Sequence, residues 1–348
     1  MRSPDDPRPT APSLRARVPG EGARLIPGQG GPGPGRRLVR VNSGSRAAVA
    51  VRGRPLTWHR VQRMIAPYVF ISPGVVFYLM VTIIPMVWGF WISFHKWSII
   101  WPAHPWVGLG NYTALLSEDL FWTSLRNTAI YTAGVVPVEV AVALMVALLL
   151  NTRLRGRSFY RLLYYLPVVT PLSISAVIWQ WIYHPHVGLF NWVMRLLRLP
   201  THDWLQEIGT AMLAVIIVAI WSGVGYRMVI FLAALQGIPQ TYYEAAMIDG
   251  AGRFALFRYI TLPLLKPATL FVLVTSIIGS FQVFSIVNVL TQGGPLDSTH
   301  VVVYYIYKRA FGDLQFGLAA AMSFVLFAII LVVTAIQWKL IGREVSYE

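Results

Sequence analysis

The chain has 348 residues, of which 56% are hydrophobic and 12% are charged, and its formal net charge is +15. An average soluble domain has roughly 25% charged residues, so this composition excludes an ordinary soluble globular protein. Because the chain contains no cysteine, disulfides and thiolate metal sites are also excluded.

The first 66 residues hold most of the positive charge. They contain 13 arginines against three carboxylates and contribute +10 of the net +15. Residues 1–60 are rich in Gly, Pro and Arg without hydrophobic periodicity, so we expect a disordered basic tail. Two interpretations stay open, a cytoplasmic tail held at the anionic membrane face or a start codon assigned too far upstream. Because no aromatic residue precedes Trp58 to stack on bases, nucleic-acid binding is not expected.

Long uncharged runs predict membrane-spanning helices in residues 61–348. A spanning helix needs about 20 apolar residues, and the first of these runs is too long for a cleavable signal peptide. We therefore predict an all-α integral membrane domain with six transmembrane helices. The predicted spans are Pro67–Phe94, Asn127–Leu150, Leu162–Tyr183, Thr210–Gln236, Pro263–Leu290 and Leu314–Leu340.

The basic residues of the connecting loops predict the orientation of these spans. With the N-terminus inside, the inner loops hold nine Lys and Arg residues and the outer loops hold five. The positive-inside rule therefore predicts that both termini are cytoplasmic. The link 237–262, between the fourth and fifth spans, is then cytoplasmic too.

Charged residues are expected to be rare within the spans, and Glu139 is the clearest case. A carboxylate at membrane depth is a candidate functional group. The alternative is a protonated Glu that hydrogen-bonds a neighbouring helix or packs at a subunit interface. Arg126 and Arg227 lie near the ends of predicted spans, and we expect both to reach the headgroups.

Motifs for catalysis and cofactor binding are absent from the sequence. It contains no G-x-x-x-x-G-K-[ST] nucleotide loop, no H-E-x-x-H and no G-x-S-x-G. We therefore expect no enzymatic activity and no cofactor bound by this chain. His184, His186 and His202 share a predicted outer loop without a cluster of acidic ligands, so exposed histidines are expected there rather than a metal site.

The link 237–262 contains the stretch "EAAMIDGAG", whose residues are mostly small or acidic, within a very apolar chain. Gly237-Ile238-Pro239 predicts the end of the fourth span. A short helix of about two turns is predicted over Gln240–Ile248. Gly250 is predicted to end it in the left-handed conformation, and a second short helix is predicted over Arg253–Tyr259. Glu244 and Ile248 would share one face of the first helix. This face fits a groove on a partner, and the alternative is an amphipathic hairpin lying on the membrane.

The segment Tyr242–Pro267 resembles the EAA loop of ABC-importer membrane subunits. In that family Glu-Ala-Ala is followed by a Gly, then nine residues and Ile-x-Leu-Pro, and here Gly250 and Ile260-Thr261-Leu262-Pro263 occupy those places. The Asp249-Gly250-Ala251 version is similar to the carbohydrate uptake branch. The resemblance extends from about Pro67 to the end and includes "VGLGNYTALL" and "GSFQVFSIVNVLTQGGP".

The resemblance implies a type I ABC-importer permease fold in the bacterial cytoplasmic (inner) membrane. It implies four kinds of partner: a second homologous permease, two copies of a cytoplasmic ABC ATPase that uses ATP and Mg, an extracytoplasmic solute-binding protein, and membrane lipid. In that family the EAA helix docks in a cleft of the ATPase. Carried over to this chain, the contact set is Glu244, Ala245, Ala246, Asp249, Gly250 and Ala251.

The resemblance also implies that the transported solute is a sugar or oligosaccharide. Glycerol phosphate or a polyol, carried by the same machinery, stays an alternative. A membrane scaffold or receptor that docks a cytoplasmic partner is an alternative of another class.

A sugar pathway needs hydrogen-bonding groups and flat apolar faces, and the fourth and fifth spans supply both. The candidate residues are Gln282, Ser280, Phe281, Phe284, Trp221 and Tyr226. Ser280, Gln282 and Phe284 alternate, so a regular helix would not place them on one face, although Gly279 could make the helix irregular. Ordinary helix packing through small and polar residues is the alternative.

Overall fold

The structure of the protein is a computed structural model that describes residues 58–152 and 155–341. The predicted tail, residues 1–60, lies almost entirely outside the described residues. By their contacts the residues fall into two units, one ending at Ile65 and the other beginning at Ala66, and the packing described below belongs to the second.

The described part of the chain is helical, with one isolated β-bridge between His95 and Trp106. Its first eight α-helices are α1 Trp58–Tyr78, α2 Ile84–Ile92, α3 Gly110–Ser117, α4 Asp119–Leu150, α5 Arg157–Val169, α6 Leu172–Ile182, α7 Leu189–Leu196 and α8 Ile208–Gln236. The remaining seven are α9 Gln240–Ile248, α10 Arg253–Leu256, α11 Leu262–Leu264, α12 Lys266–Phe281, α13 Ser285–Leu290, α14 Val302–Tyr307 and α15 Phe316–Ile341. Three π-helical turns join neighbouring helices, at Leu79–Ile83, Phe257–Thr261 and Lys308–Gly312.

Five helical segments of the described chain are long and apolar enough to cross a membrane. Their bounds are Ile65–Ile92, Asp119–Leu150, Ile208–Gln236, Lys266–Leu290 and Phe316–Leu340. They correspond to the first, second, fourth, fifth and sixth predicted spans. The all-α class is confirmed, and the second span begins eight residues earlier than the sequence predicts.

The third predicted span, Leu162–Tyr183, is not one straight helix, but its two helices together are long and apolar enough to cross a membrane, which gives six spans if the bent pair is one span. The structure has two helices there, α5 and α6, which are bent by 100° relative to one another. Thr170 and Pro171 between them are extended, with ψ angles of 127° and 129°. A residue before proline is disfavoured in the α conformation, so the Thr170-Pro171 step ends α5.

The core forms where α4 packs along α8. In one half, Tyr131 and Val135 of α4 are buried with Val215 and Val218 of α8. In the other half, the fully buried Ala143 and Ala147 lie in one cluster with α8 and α12 residues. Small side chains let membrane helices approach closely, so this α4–α8 pair is the frame on which the other helices pack.

The fifth span is interrupted between α12 and α13. Gln282 caps α12, and Phe284 has a non-helical conformation with φ −139° and ψ −61°. Beyond the break, the Gln180 side chain of α6 donates to the carbonyl of Val289 at 2.6 Å. A local irregularity was expected from Gly279, and the structure has one shortly after it, at Gln282–Phe284.

The loop after α13 is fastened to the start of α4. Asn127 donates to the carbonyls of Asp297 and His300 at 2.8 and 3.1 Å. The Thr128 hydroxyl accepts from the Val302 amide at 3.0 Å, and the Ser124 hydroxyl bonds His300 Nδ1 at 3.0 Å. These bonds fix the far end of the α12–α13 segment against α4.

Candidate functional site

The α9 helix forms as the sequence predicts. Pro239, with ψ 133°, lies just before it, and Gly250 follows it with φ +82°. The Ala251 amide donates to the Ala246 carbonyl at 2.9 Å and the Gly250 amide to the Met247 carbonyl at 3.1 Å. This pair of bonds is a Schellman motif, which needs a left-handed residue at the position of Gly250.

The outer surface of α9 and the turn after it is open. Glu244, Ala245, Asp249 and Gly250 of the predicted contact set are exposed, whereas Ala246 and Ala251 are half-buried. Ile248 is 86% exposed one turn after Glu244, and Phe254 in α10 is 77% exposed. Exposed apolar side chains among carboxylates, outside any predicted span, are suited to a protein partner.

The inner surface of α9 is tied to the segment that leads into the fifth span. The Tyr243 hydroxyl bonds the Thr261 hydroxyl at 3.0 Å, and Thr261 is buried in the π turn before α11. Thr261 also donates to the Leu256 carbonyl at 3.3 Å. Sequence reasoning missed Tyr243, because the helical spacing alone does not show which residues face the membrane domain.

A cavity of about 260 Å³ lies where the α12–α13 break meets α4 and α8. We call it the central cavity. Its lining consists of Tyr131, Val135, Glu139, Leu172, Ala219, Ser222, Gly223, Arg227, Gly279, Ser280, Gln282, Val283, Phe284, Ser285 and Ile286. Three of the six predicted pathway residues, Ser280, Gln282 and Phe284, are therefore brought together here by the break.

The other three predicted pathway residues do not line the central cavity. Phe281 is buried in a cluster with Val302 and Leu326. Trp221 packs edge-on against Trp179, with ring centroids 5.6 Å apart, and Tyr226 is largely exposed.

An ion pair lies at the wall of the central cavity. Arg227 Nε of α8 is 2.9 Å from Glu139 Oε2 of α4, and the Glu139 side chain is 2% exposed. Arg227 also donates from Nε to the Ser276 hydroxyl of α12 at 2.6 Å. The expectation that Arg227 reaches the headgroups is wrong, because a carboxylate within the bundle holds its guanidinium. Glu139 does contact a neighbouring helix, but through a cation.

Gly223 makes room for this pair. A Cβ atom at Gly223 would lie 1.6 Å from Glu139 Oε1 and 2.9 Å from Arg227 Nη1. The Gly223 carbonyl accepts from Arg227 Nη1 at 3.2 Å. Gly223 and Arg227 are four residues apart on α8, which is the spacing of neighbours on one helical face. That spacing predicts a shared face for Gly223 and Arg227, but it does not show that this face meets Glu139 of α4.

The central cavity has a polar wall but no net charge. A charged side chain at the centre of a bilayer is costly, and the opposite charges of Glu139 and Arg227 offset one another. Arg227 Nε directs its single hydrogen to Ser276, and Glu139 Oε2 has no hydrogen-bond partner in the described residues. Glu139 Oε2 is thus held by the charge of Arg227 at 2.9 Å, and serine hydroxyls and the Gln282 amide supply the other polar groups of the wall.

The three loop histidines are not arranged around one point. His202 Nδ1 is 2.9 Å from Glu207 Oε2, while His184 and His186 are exposed with ring centroids 6.1 Å apart. Over the ranges that the structure describes, no group of three His, Cys, Asp or Glu residues could hold a metal ion. Hydrogen bonds from the Asp203 amide and His202 lower the pKa of the exposed Glu207 carboxyl.

Known proteins similar to this chain are transporter subunits. The trehalose/maltose transport system permease of Thermococcus litoralis is 37% identical over 277 residues, which are 79% of this chain and 93% of that one. The sn-glycerol-3-phosphate transport system permease of Yersinia enterocolitica is 31% identical over 289 residues, 81% of this chain and 96% of that one.

The fold is similar to a chain in the crystal structure of a bacterial ABC transporter involved in the import of the acidic polysaccharide alginate. The TM-score is 0.73 at 22% sequence identity, with 83% of this chain and 99% of that chain covered. The model of the family described as "binding-protein-dependent transport system inner membrane component" matches residues 139–343, which include α9 and the whole lining of the central cavity except Tyr131 and Val135. Since this match spans more than half of the chain, the chain belongs to the family of binding-protein-dependent transport system inner membrane components.

Proposed function

We propose that this permease subunit carries a neutral, hydroxyl-rich solute, a sugar or an oligosaccharide, across the bacterial cytoplasmic membrane. The observation that carries the proposal is the central cavity, whose polar wall holds one cation and one anion that offset each other. Ser280 and Gln282 offer hydrogen bonds to hydroxyl groups. Tyr131 and Phe284 add aromatic faces against which the C–H surface of a sugar can stack.

The charge of the cavity favours a sugar over glycerol phosphate. A phosphate ester needs an uncompensated cation in a dry site, because an unpaired buried charge is costly. Within the described lining, Arg227 is the cation, and Glu139 already lies 2.9 Å from it. The similarity to a trehalose/maltose permease supports a sugar. Because the chain is also similar to an sn-glycerol-3-phosphate permease, transport of that phosphate ester is tested alongside.

Energy for transport comes, in this proposal, from two copies of a separate ATPase that uses ATP and Mg. Residues Glu244, Ala245, Ala246, Asp249, Gly250 and Ala251 form its contact surface. The exposed position of Ile248 and Phe254 beside these residues supports docking in a cleft. This chain itself catalyses no reaction.

Movement of α9 has a physical route to the central cavity. The Tyr243–Thr261 bond joins α9 to the π turn at Phe257–Thr261, and the short α11 connects that turn to α12. The far end of α12 carries Ser280 at the cavity wall. Closure of the ATPase dimer would then tilt the spans outward, a solute-binding protein would deliver the sugar, and hydrolysis would reset the complex.

A second homologous permease completes the proposed pathway. In the most apolar window of the first span, Ile65–Ile92, none of the residues is buried within this chain. Such a helix needs lipid or another membrane subunit around it. We assign part of this surface to the partner permease.

Reconstitution with the partner subunits tests the proposal. The two permeases and two ATPase copies are placed together in liposomes. ATP hydrolysis is then measured with the solute-binding protein and trehalose, maltose or sn-glycerol 3-phosphate. We expect a disaccharide to stimulate hydrolysis and to accumulate in the lumen. Stimulation by sn-glycerol 3-phosphate alone would contradict the sugar assignment. Co-purification of a cytoplasmic partner without a nucleotide loop would support the scaffold instead.

A further inference from the structure

A second cavity, of about 570 Å³, lies next to the ends of the first, second and sixth spans. We call it the outer pocket, because the charge of the loops predicts that it faces the extracytoplasmic side. Its lining consists of Lys96, Trp97, Ser98, Ile100, Trp101, Val107, Gly110, Asn111, Ala114, Glu118, Asp313, Gln315 and Leu318. Small-molecule sites in proteins have volumes of about 300–1,000 Å³ and combine apolar walls with a few polar groups. The outer pocket has this size and this composition.

Hydrogen bonds and close packing fix the walls of the outer pocket. Asn111 donates to the carbonyls of Ser93 and His95 at 2.7 and 2.9 Å. The Gly317 amide donates to the Trp97 carbonyl at 3.3 Å, and a Cβ at Gly317 would lie 2.0 Å from the His95 carbonyl oxygen. The loop before α3 therefore packs directly on the start of α15, and the space between them is formed before any ligand arrives.

The charged groups around the outer pocket balance one another. Arg309 lies 2.9 Å from a Glu118 oxygen and 3.0 Å from an Asp313 oxygen, and the Tyr305 hydroxyl donates to the other Glu118 oxygen. The exposed Lys96 supplies a second positive charge. Two cations thus face two carboxylates, so the pocket has no net charge. The second Asp313 oxygen has no hydrogen bond within the described residues and can accept one from a hydroxyl group.

Two exposed side chains of the lining, an indole and an amide, are available to a ligand. Trp101 is 69% exposed, and its ring contacts no other ring in the described chain. Trp97, in contrast, already stacks on His104 with ring centroids 3.7 Å apart. The Gln315 side-chain amide makes no hydrogen bond within the described residues, so it can both donate and accept. A flat ring beside an amide and a carboxylate is suited to the C–H face and the hydroxyl groups of a sugar.

Other classes of ligand match the outer pocket less well. A phosphate, on a lipid headgroup or on a small ester, would be repelled by Glu118 and Asp313. A metal ion would compete with Arg309, which already pairs with both carboxylates. A wholly apolar ligand would remove water from the carboxylates and amides without replacing its hydrogen bonds. A neutral, hydroxyl-rich ligand satisfies the acceptors, the amide and the exposed ring together.

We propose that the outer pocket binds a neutral sugar, or one unit of an oligosaccharide, with its ring stacked on Trp101 and its hydroxyl groups bonded to Asp313 and Gln315. The outer pocket shares no lining residue with the central cavity. The inference rests on the proposed function for the class of solute, and it adds a second place where this chain holds that solute. The predicted orientation puts this place on the side from which an imported sugar arrives.

Protection of a single cysteine locates the sugar, because the natural chain contains no cysteine. The complex of two permeases and two ATPase copies is placed in lipid nanodiscs, since maltoside detergents would compete for the site. Ser98→Cys lies in the lining, and His186→Cys lies in another outer loop, where it is exposed. Maleimide labelling of this chain is followed by mass spectrometry as trehalose or maltose is added. We expect the sugar to slow the labelling of Ser98→Cys and to leave that of His186→Cys unchanged.

A second substitution in the Ser98→Cys chain tests the stacking face. Trp101→Ala should raise the sugar concentration needed for half-protection about 10-fold, because an aromatic contact and its buried area are lost. The matched control is Trp192→Ala in α7, a tryptophan that is 54% exposed and outside the pocket. It should leave the half-protection concentration unchanged.

Three results would overturn the outer site. The first is equal labelling of Ser98→Cys with and without sugar, and sugar uptake in the liposome assay would then leave the proposed function intact. The second is protection by sn-glycerol 3-phosphate instead of a disaccharide, which would contradict the proposed function as well. The third is a half-protection concentration that Trp101→Ala leaves unchanged or that Trp192→Ala raises equally. If Trp101→Ala does not fold, Gln315→Ala decides, and an unchanged half-protection concentration in it overturns the proposal.

Discussion

At the scale of single residues, Glu139 and Arg227 carry opposite charges inside an apolar bundle. Burying an ion pair has a desolvation cost that the mutual attraction roughly offsets, so such a pair is weak evidence for stability. Because both residues line the central cavity, we infer that the pair serves to make the cavity wall polar. Each charge nevertheless lowers the free-energy cost of burying the other.

Removing one partner of the pair is expected to be more damaging than removing both. Glu139→Gln leaves the Arg227 guanidinium uncompensated and should destabilise the fold by about 3–5 kcal/mol. The double variant Glu139→Gln/Arg227→Met leaves no unpaired charge and should lose less. Thermal unfolding of the three proteins in one detergent measures both effects, and Arg126→Gln serves as the exposed control. A double variant less stable than Glu139→Gln would contradict this.

Gly223 should tolerate no side chain. In Gly223→Ala the new methyl group would displace the Glu139 carboxylate, since a Cβ there lies 1.6 Å from Oε1. We expect lower thermal stability and weaker transport. In the same helix, Gly209→Ala meets nothing within 4 Å and should gain stability, by up to about 1 kcal/mol, from the higher helix propensity of alanine. Equal behaviour of the two variants would show that the close approach at Gly223 is unimportant.

The ion pair also shows what the sequence could not predict. Glu139 is conspicuous because it interrupts a long apolar run, so a functional interpretation follows from composition. Arg227 lies near a predicted span end, where reaching the headgroups is the usual expectation. Only the packing of α4 against α8 shows that the guanidinium points inward, to Glu139 and Ser276.

At the scale of secondary-structure elements, the α9 turn should be sensitive to its backbone conformation. Gly250→Val places a β-branched residue at φ +82°, which breaks the Schellman motif and shifts Asp249 and Ala251. We expect normal membrane insertion but loss of transport and of solute-stimulated ATP hydrolysis. Gly252→Ala, at φ −76° with nothing within 4 Å of its Cβ, is the matched control. Normal transport by Gly250→Val would contradict the coupling role.

The loop between α13 and α14 should make stability depend on pH through His300. Burial lowers the pKa of His300 from 6.5 to about 4, with Asp297 raising it and Lys308 lowering it by charge. Between these two pKa values the unfolded chain binds more protons than the folded chain, so stability falls as the pH drops from 6.5 to 4. Melting temperatures over this range should show a smaller slope in His300→Gln. The exposed His186→Gln is expected to keep the full slope, and an equal slope in both variants would refute this explanation.

Elements were predictable to different degrees, for physical reasons. Spans such as Phe316–Leu340, predicted as Leu314–Leu340, follow from apolar length, because a lipid-exposed helix has few other ways to satisfy its backbone. The bend at Thr170-Pro171 was missed because apolar length does not register a conformational break. Gly250, by contrast, was placed correctly, since an Asp-Gly step after a short helix leaves the backbone few alternatives.

At the scale of the whole molecule, the distribution of charge predicts which side of the membrane each loop faces. Nine basic residues fall in one set of loops and five in the other, which predicts a cytoplasmic α9. If α9 is to meet a cytoplasmic ATPase, the outer loops, including α3, must lie on the opposite side.

Cysteine labelling tests this orientation cleanly, because the natural chain contains no cysteine. Ser117→Cys in α3 and Thr241→Cys in α9 each introduce one exposed thiol. In intact cells a membrane-impermeant maleimide should label Ser117→Cys at once but Thr241→Cys only after permeabilisation. The unsubstituted chain should give no signal in either condition. Labelling of Thr241→Cys from outside would reverse the topology, and α9 could then receive no energy from a cytoplasmic ATPase.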